Sequence, residues 1–135
     1  MLIKREMALD QDIGLNGALF GGDMMSHMDQ TAGIAASLVS YNRRFVTRKV
    51  SELIFHSPVR PGDIMEFFAY IIHTGTTSIT VSLKVKVYQP ISDKRKDVTS
   101  GEFTMVAVDE SLKPESILWK KDMITQCNKI EEFNA

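Results

Sequence analysis

The chain has a single cysteine, Cys127, among its 135 residues. One cysteine excludes an internal disulfide framework and any multi-cysteine metal site. It also fits a reducing compartment, so we expect a cytoplasmic protein. Neither sign of charge dominates, because 16 basic and 17 acidic residues leave a net charge of −1. Without a basic excess to release counterions, we expect no nucleic-acid partner.

A long apolar run is also absent. The first ten residues, MLIKREMALD, carry charges early and contain no apolar signal-peptide core, so no secretory signal is predicted. The least polar stretch, residues 24–41, includes Ser26, His27 and Asp29, which a membrane span of about 20 apolar residues would not tolerate. We therefore expect no membrane partner. No repeat or Pro/Gly/Ser-rich linker divides the chain, and its length favours one domain.

The same stretch, MMSHMDQTAGIAASLVSY, predicts one long helix that begins near residues 22–23 and is apolar or small on nearly every side. We expect the rest of the fold to wrap it. Asp29 is the one acidic side chain in this stretch, and a carboxylate in apolar surroundings is costly to ionise. Asp29 is therefore either compensated by specific partners or a working group of a functional site.

Most of the remaining chain has strand character. Residues 79–88 alternate apolar and polar with a period of two, which is typical of a strand with one buried face. Short links between successive strands require antiparallel pairing. The fold class is thus α+β, with an antiparallel sheet of about five strands around one long helix. A dimer joined edge to edge would cover the exposed edge strands. The predicted strands are 1–9, 45–56, 64–73, 79–88 and 98–108, with a surface loop at 90–97 and a helix at 114–133.

Several short motifs resemble a known family. Asn16-Gly17-Ala18-Leu19-Phe20-Gly21-Gly22 is followed by Met28-Asp29, with the carboxylate seven residues after the second glycine of the pair. Further matches are Val46-Thr47, Pro58-Val59-Arg60-Pro61-Gly62-Asp63, Gly75-Thr76-Thr77-Ser78 and Phe103-Thr104-Met105-Val106-Ala107-Val108-Asp109. Residues 1–110 therefore resemble the short acyl-CoA thioesterases of the hotdog fold, a group that includes bacterial acyl-CoA thioester hydrolases and brain acyl-CoA hydrolase.

This resemblance implies a hotdog domain over residues 1–110, with residues 111–135 as a helical C-terminal extension. It implies a homodimer whose sheet continues from one subunit into the other, with a trimer of dimers as an open alternative. The active site would lie at the dimer interface, where Asp29 works with groups of the partner subunit. The substrate would be an acyl-CoA, hydrolysed without a cofactor or a metal.

Three residues are the catalytic candidates. Asp29 acts either as general base on a water or as nucleophile on the carbonyl, and the sequence leaves both open. Unpaired N–H groups at a helix start can meet a developing oxyanion, which suggests Gly22. In the family, an asparagine of the preceding loop contributes across the interface. Here Gly14 stands at that position, and Asn16, two residues later, is the candidate replacement.

Eight residues are the substrate-binding candidates. Most of them belong to the matched motifs, and Arg60 is also a cation that could bind the phosphates of coenzyme A. The eight residues are Phe20, Gly21, Thr47, Arg60, Gly75, Thr76, Thr77 and Ser78. The structural alternatives are an ion pair of Asp29 with Arg43, Arg44 or a basic group of the partner subunit, and a glycine pair that only forms a turn. At the level of function, the alternatives are a non-catalytic acyl-CoA-binding module, a dehydratase of the same fold and a structural oligomer.

Overall fold

The computed structural model describes residues 1–134, and in them a single five-stranded sheet packs against one long helix. This confirms the predicted α+β architecture. No helix of this described range is long and apolar enough to cross a membrane. In chain order the elements are β1 (Leu2–Met7), α1 (Gly21–Leu38), β2 (Phe45–Phe55), β3 (Ile64–Thr74), β4 (Ser78–Gln89), β5 (Lys94–Ala107), α2 (Lys121–Cys127) and α3 (Ile130–Asn134).

Every strand pair is antiparallel, and the spatial order is β1-β3-β4-β5-β2. Helix α1 contacts all five strands. Its small side chains Ala32, Ala35 and Ala36 are fully buried, which lets the helix lie close to the sheet. Alternate residues of β4, such as Val81 and Val85, are buried in the same core, as the period of two predicts.

One face of α1 stays open in the single chain. Met25, Ile34 and Leu38 are each more than a third exposed, and Asp29 lies on this same face. In the single chain the fold therefore wraps the helix only on the side that faces the sheet. The helix covers one face of the sheet, and a single sheet layer cannot close around both sides of it.

Strand β2 forms one edge of the sheet and has 11 residues. Its pairing with β5 shifts register twice, and Glu52 within the second irregularity has a φ of +53°. Side chains on both faces of β2 are largely exposed. A long edge strand with unpaired backbone groups is a surface on which another strand can pair.

Two boundaries differ from the sequence prediction. Strand β5 begins at Lys94, inside the segment expected to be a loop, because Lys94 pairs with Gln89 across a tight turn. The helix expected over residues 114–133 is wrong for its first seven residues, which are not helical, and the rest is divided into α2 and α3. The backbone of these seven residues pairs with distant segments, as in the Ser40–Trp119 bridge and the hydrogen bond from the Ile117 N–H to the Thr76 carbonyl (2.8 Å).

The sheet face opposite α1 carries a buried carboxylate, Glu66, which is 1% exposed. Arg5 Nε lies 2.8 Å from one of its oxygens and Arg95 Nε lies 2.5 Å from the other. Burial by itself would raise the pKa of Glu66, but the hydrogen bonds and charges of Arg95 and Arg5 outweigh it and hold the pKa below the ordinary value. The carboxylate thus links β1, β3 and β5.

Candidate active site

Asp29 lies in the third turn of α1 and is held by a side chain from the sheet. The Thr47 hydroxyl of β2 donates a hydrogen bond to its carboxylate. Thr47 Oγ1 also lies 3.4 Å from Met105 Sδ, on the neighbouring strand with which Thr47 pairs. The contact joins a helix and an edge strand, so the packing of α1 on the sheet fixes the orientation of the carboxylate.

The carboxylate opens into a shallow depression of about 390 Å³ between α1 and β2. Asp29 itself is exposed to solvent in the single chain. Within residues 1–134 no basic side chain forms an ion pair with it, and Arg44 instead lies 3.6 Å from Glu110. The depression is lined by Gly22, Met25, Ser26, Asp29, Thr47, Val50 and Phe103. A carboxylate that accepts one hydrogen bond from a hydroxyl group and faces open space can still act on a water or a carbonyl.

The glycine pair opens α1 directly. Gly21 and Gly22 occupy the first two helical positions, and the backbone N–H groups there have no intrahelical acceptor. Gly22 lines the depression beside Asp29, and a Cβ added to it would meet no atom within 4 Å. A Cβ on Gly21 would lie 3.4 Å from Phe55 Cζ. The two glycines therefore face different surroundings, and Gly22 lines the same depression as Asp29.

Asn16 does not meet Asp29 within one chain. Its side-chain oxygen accepts a hydrogen bond from the Ala18 N–H (3.2 Å), and its side chain lines a different cavity of about 340 Å³. That cavity also contains Gly21. The first turn of α1 separates the two spaces, with Gly21 on one side and Gly22 on the other.

Gly14 has a steric reason to be glycine. A Cβ at this position would lie 2.9 Å from Cε1 of the Phe20 ring, closer than real Cβ contacts allow. Phe20 is the residue that precedes α1, and its ring lies against the Gly14 backbone. An asparagine at position 14 would therefore require the Phe20 ring to move.

The hairpin residues predicted to bind substrate lie elsewhere. The Gly75 N–H donates to the Ser78 carbonyl (2.8 Å), and the carbonyls of Thr76 and Thr77 accept hydrogen bonds from Ile117 and Ala107. The described structure does not bring residues 75–78 into the depression that contains Asp29. Their contacts in one chain serve the packing of the C-terminal segment.

Arg60 lies outside the Asn16 cavity, in a neighbouring groove. Its Nη1 donates to the Gly17 carbonyl (3.2 Å), and the side chain lines a groove of about 600 Å³ that also contains Lys96. Pro58 lines both this groove and the cavity. The basic groove and the cavity are therefore neighbours.

His27 contacts side chains of β1 and β3 rather than Asp29. Its Nδ1 lies 3.3 Å from Lys4 Nζ, and its ring centroid lies 5.8 Å from that of Phe67. Residues 1–134 contain no group of three or more metal-ligating side chains positioned to hold an ion.

Sequence reasoning missed most of the cavity wall. Leu19, Phe55 and Val59 come from three separate segments, and no spacing in the sequence connects them. In the sequence, Phe55 and Val50 are recognisable only as strand residues. Phe55 lines this cavity and Val50 lines the depression beside Asp29, and both places depend on how β2 lies beside the start of α1.

Comparison with known proteins gives a consistent result. A family model described as the thioesterase superfamily matches residues 16–91. The chain is 34% identical to the Escherichia coli acyl-CoA thioester hydrolase YciA over 119 residues, which is 86% of this chain and 89% of that protein. The fold is similar to that of a hexameric thioesterase from Yersinia pestis, with a TM-score of 0.81, 37% identity and coverage of 87% and 94%. A hexameric, broad-specificity acyl-coenzyme A thioesterase called HI0827 has a TM-score of 0.86 at 29% identity, with 94% of each chain covered.

Proposed function

Because this chain belongs to the thioesterase superfamily, we propose that it hydrolyses the thioester bond of an acyl-CoA to give a free acid and CoA. The hydrogen bond from Thr47 to Asp29, beside the free N–H groups at the start of α1, is the observation that carries the proposal. The proposal is supported because an oriented carboxylate and a helix-start N–H line the same depression, and a developing oxyanion needs such a donor. The acyl-CoA thioester hydrolases among its relatives support the same substrate class.

Asp29 is the proposed catalytic carboxylate. It either removes a proton from the attacking water, after which the tetrahedral intermediate expels the CoA thiolate, or attacks the thioester carbonyl and expels the thiolate to form a mixed anhydride that water then hydrolyses. In both routes the thiolate takes up a proton to give CoA. In both routes the carbonyl oxygen gains negative charge, and the Gly22 N–H is the proposed donor to it. Neither route requires a cofactor.

A second copy of the chain supplies the rest of the proposed site. When two copies of β2 pair edge to edge around a twofold axis, the strands run antiparallel. The Thr47 end of one β2 then lies beside the Phe55 end of the other. This pairing brings the Asp29 depression of one subunit next to the Asn16 cavity of its partner, so Asn16 acts across the interface. The hexameric relatives support self-association, and a trimer of dimers is the larger assembly that we propose.

Contacts to the coenzyme A portion are proposed from the same geometry. Arg60 lies in a basic groove next to the cavity, where its free guanidinium N–H groups can meet phosphate oxygens. Phe20 and Gly21 border the proposed path of the thioester. Residues 75–78 remain candidates for contacts to substrate held by another subunit. We further propose a cytoplasmic location, and residues 1–110 as the catalytic unit with 111–135 as its extension.

The variant Asp29→Asn tests the assignment directly. It keeps the shape of the side chain and an oxygen that can accept the Thr47 hydrogen bond, but it removes the basic and nucleophilic carboxylate. We expect kcat for acyl-CoA hydrolysis to fall by about 10²–10⁴, the usual scale for a positioned acid or base. Release of free CoA, followed with a thiol-reactive dye, provides the measurement.

Asp23→Asn is the matched control, because Asp23 lies on the same helix but lines no part of the depression. It should retain the wild-type rate. An Asp29→Asn protein that is correctly assembled and turns over at the wild-type rate would remove Asp29 from the mechanism. A wild-type protein that releases no thiol from any acyl-CoA would contradict the proposed function itself.

A further inference from the structure

The cavity beside the start of α1 has a buried, largely apolar end, and the polar residues Asn16, His56 and Ser57 also line the cavity. Met24 and Val59 are each 3% exposed and Thr99 is 2% exposed, so these three side chains form its floor. Leu19 continues the apolar wall, and the Phe55 ring, about half exposed, stands at the rim. A cavity with a dry floor and an open rim suits an apolar group that enters from the surface.

The position of this cavity connects it to the proposed chemistry. Gly21 lines the cavity, while Gly22, the next residue, lines the depression with Asp29. A thioester carbonyl held at the first turn of α1 therefore has the carboxylate on one side and the cavity on the other. The twofold pairing of β2 also brings the Phe55 rim towards Thr47 of the partner subunit.

We propose that this cavity receives the acyl chain of the substrate and that Met24, at its floor, sets the longest chain that fits. The inference rests on the proposed thioesterase function and names the substrate class, which is acyl-CoA of short to medium chain length. Met24 is unbranched and flexible, so it can adapt its shape to chains of slightly different length.

The volume sets the limit on chain length. A water molecule takes about 30 Å³ in the liquid, and a methylene group is of similar size. The 340 Å³ of the cavity therefore hold on the order of ten carbon atoms. Each added methylene that leaves water should raise kcat/KM by about fourfold until the floor is reached. Beyond about ten carbons the chain must remain in solvent or displace the floor, and kcat/KM should fall.

The test is a comparison of chain-length profiles. Wild type and Met24→Ala are assayed with saturated acyl-CoA substrates from two to sixteen carbons, and kcat/KM is measured for each by thiol release. Met24→Ala removes about three heavy atoms from the floor, so the optimum should move to chains about three carbons longer. Met28→Ala is the matched control, because Met28 is a fully buried methionine one turn further along α1 that does not line the cavity. It should lower stability without moving the optimum.

Val59→Leu provides a second, opposite change in case Met24→Ala does not fold. It adds a methylene to the floor, and the optimum should move to shorter chains. The inference is overturned when folded, active Met24→Ala or Val59→Leu has the wild-type profile, or when Met28→Ala shifts the optimum as much as Met24→Ala. These results are distinct from a failure of the proposed function, in which the wild-type protein hydrolyses no acyl-CoA of any length.

Discussion

At the scale of single residues, the Asp29 carboxylate is oriented by one hydroxyl group. Thr47 donates to it from the edge strand β2, and the described part of the chain supplies no competing basic partner. A hydrogen bond to a charged group contributes about 1.5–3 kcal/mol where it is made. The hydroxyl of Thr47 is therefore expected to matter for catalysis because it positions Asp29.

Thr47→Val removes this donor while keeping a β-branched side chain in the strand. We expect kcat to fall by about tenfold, the equivalent of roughly 1.4 kcal/mol in the activation barrier, with little change in KM. Steady-state kinetics with one acyl-CoA gives both values. Thr80→Val is the matched control, because the Thr80 hydroxyl lies 3.1 Å from that of Thr104, away from the site. Equal losses in both variants would assign the effect to the sheet rather than to Asp29.

Part of this site could be predicted from the sequence. Asp29 stands out as the lone acidic residue of an apolar helix, and the helix start after the glycine pair suggests the oxyanion donor. The separation of Asn16 from Asp29 could not be predicted from the sequence. It arises because Asn16 and Asp29 lie on different sides of the first turn of α1. The steric exclusion of a side chain at Gly14 by Phe20 also requires three-dimensional contact.

At the scale of elements, β2 carries an irregularity on its free edge. Glu52 adopts a left-handed backbone conformation, which costs an L-residue with a Cβ roughly 1–2 kcal/mol relative to its preferred regions. The irregularity interrupts pairing with β5 between Ser51 and Ile54. It bends the strand near its middle, the region that a twofold β2 pairing would centre on.

Replacing Glu52 with glycine should relieve this strain. We expect Glu52→Gly to raise the free energy of unfolding by up to about 1 kcal/mol, since part of the gain is lost to the greater freedom of glycine in the unfolded chain. Urea unfolding at one fixed protein concentration provides the measurement. Ser51→Gly, at the neighbouring position with no left-handed backbone, should instead be destabilising by about 0.5–1 kcal/mol. The same loss in both variants would show that the Glu52 conformation stores no strain.

The elements also show where sequence patterns succeed. The alternation in β4 predicts the burial of its apolar residues correctly, but Lys86 on the other face is also buried, at 4% exposed. The sequence predicts a helix over residues 114–133, but residues 114–120 are not helical. Their hydrogen bonds instead go to Thr76, Ala107 and Val39, contacts between distant segments that local periodicity cannot reveal.

At the scale of the whole molecule, charge on the sheet face opposite α1 links stability to pH. The pKa of Glu66 is held below its ordinary value of 4.5 by its two arginine partners. The stabilisation is therefore fully present above about pH 4.5 and is lost as the pH falls through the depressed pKa. Burial lowers the pKa of Lys86 below 10.5. The folded protein therefore releases this proton at a lower pH than the unfolded chain, and the free energy of unfolding rises as the pH approaches 10.5.

Glu66→Gln should destabilise the protein at pH 7. Its free energy of unfolding should also fall less than that of the wild type when the pH is lowered. We expect about 1–3 kcal/mol less free energy of unfolding at neutral pH, with a smaller difference from wild type at pH 3. Denaturant unfolding between pH 3 and pH 7 gives the comparison. Glu102→Gln, on the adjacent part of the sheet without an arginine partner among the described contacts, is the control. A pH-independent difference between Glu66→Gln and wild type would contradict this linkage.

Gly22 has a consequence beyond its place in the helix. A methyl group there would touch nothing within 4 Å, so the fold of a lone chain gives no steric reason to exclude alanine. Alanine is also the better helix former. Intolerance of alanine at position 22 would therefore report on whatever approaches from outside, a substrate carbonyl or a neighbouring subunit. Because no atom of the single chain lies beside Gly22, a harmful effect of Gly22→Ala would indicate contact with a substrate or a second subunit.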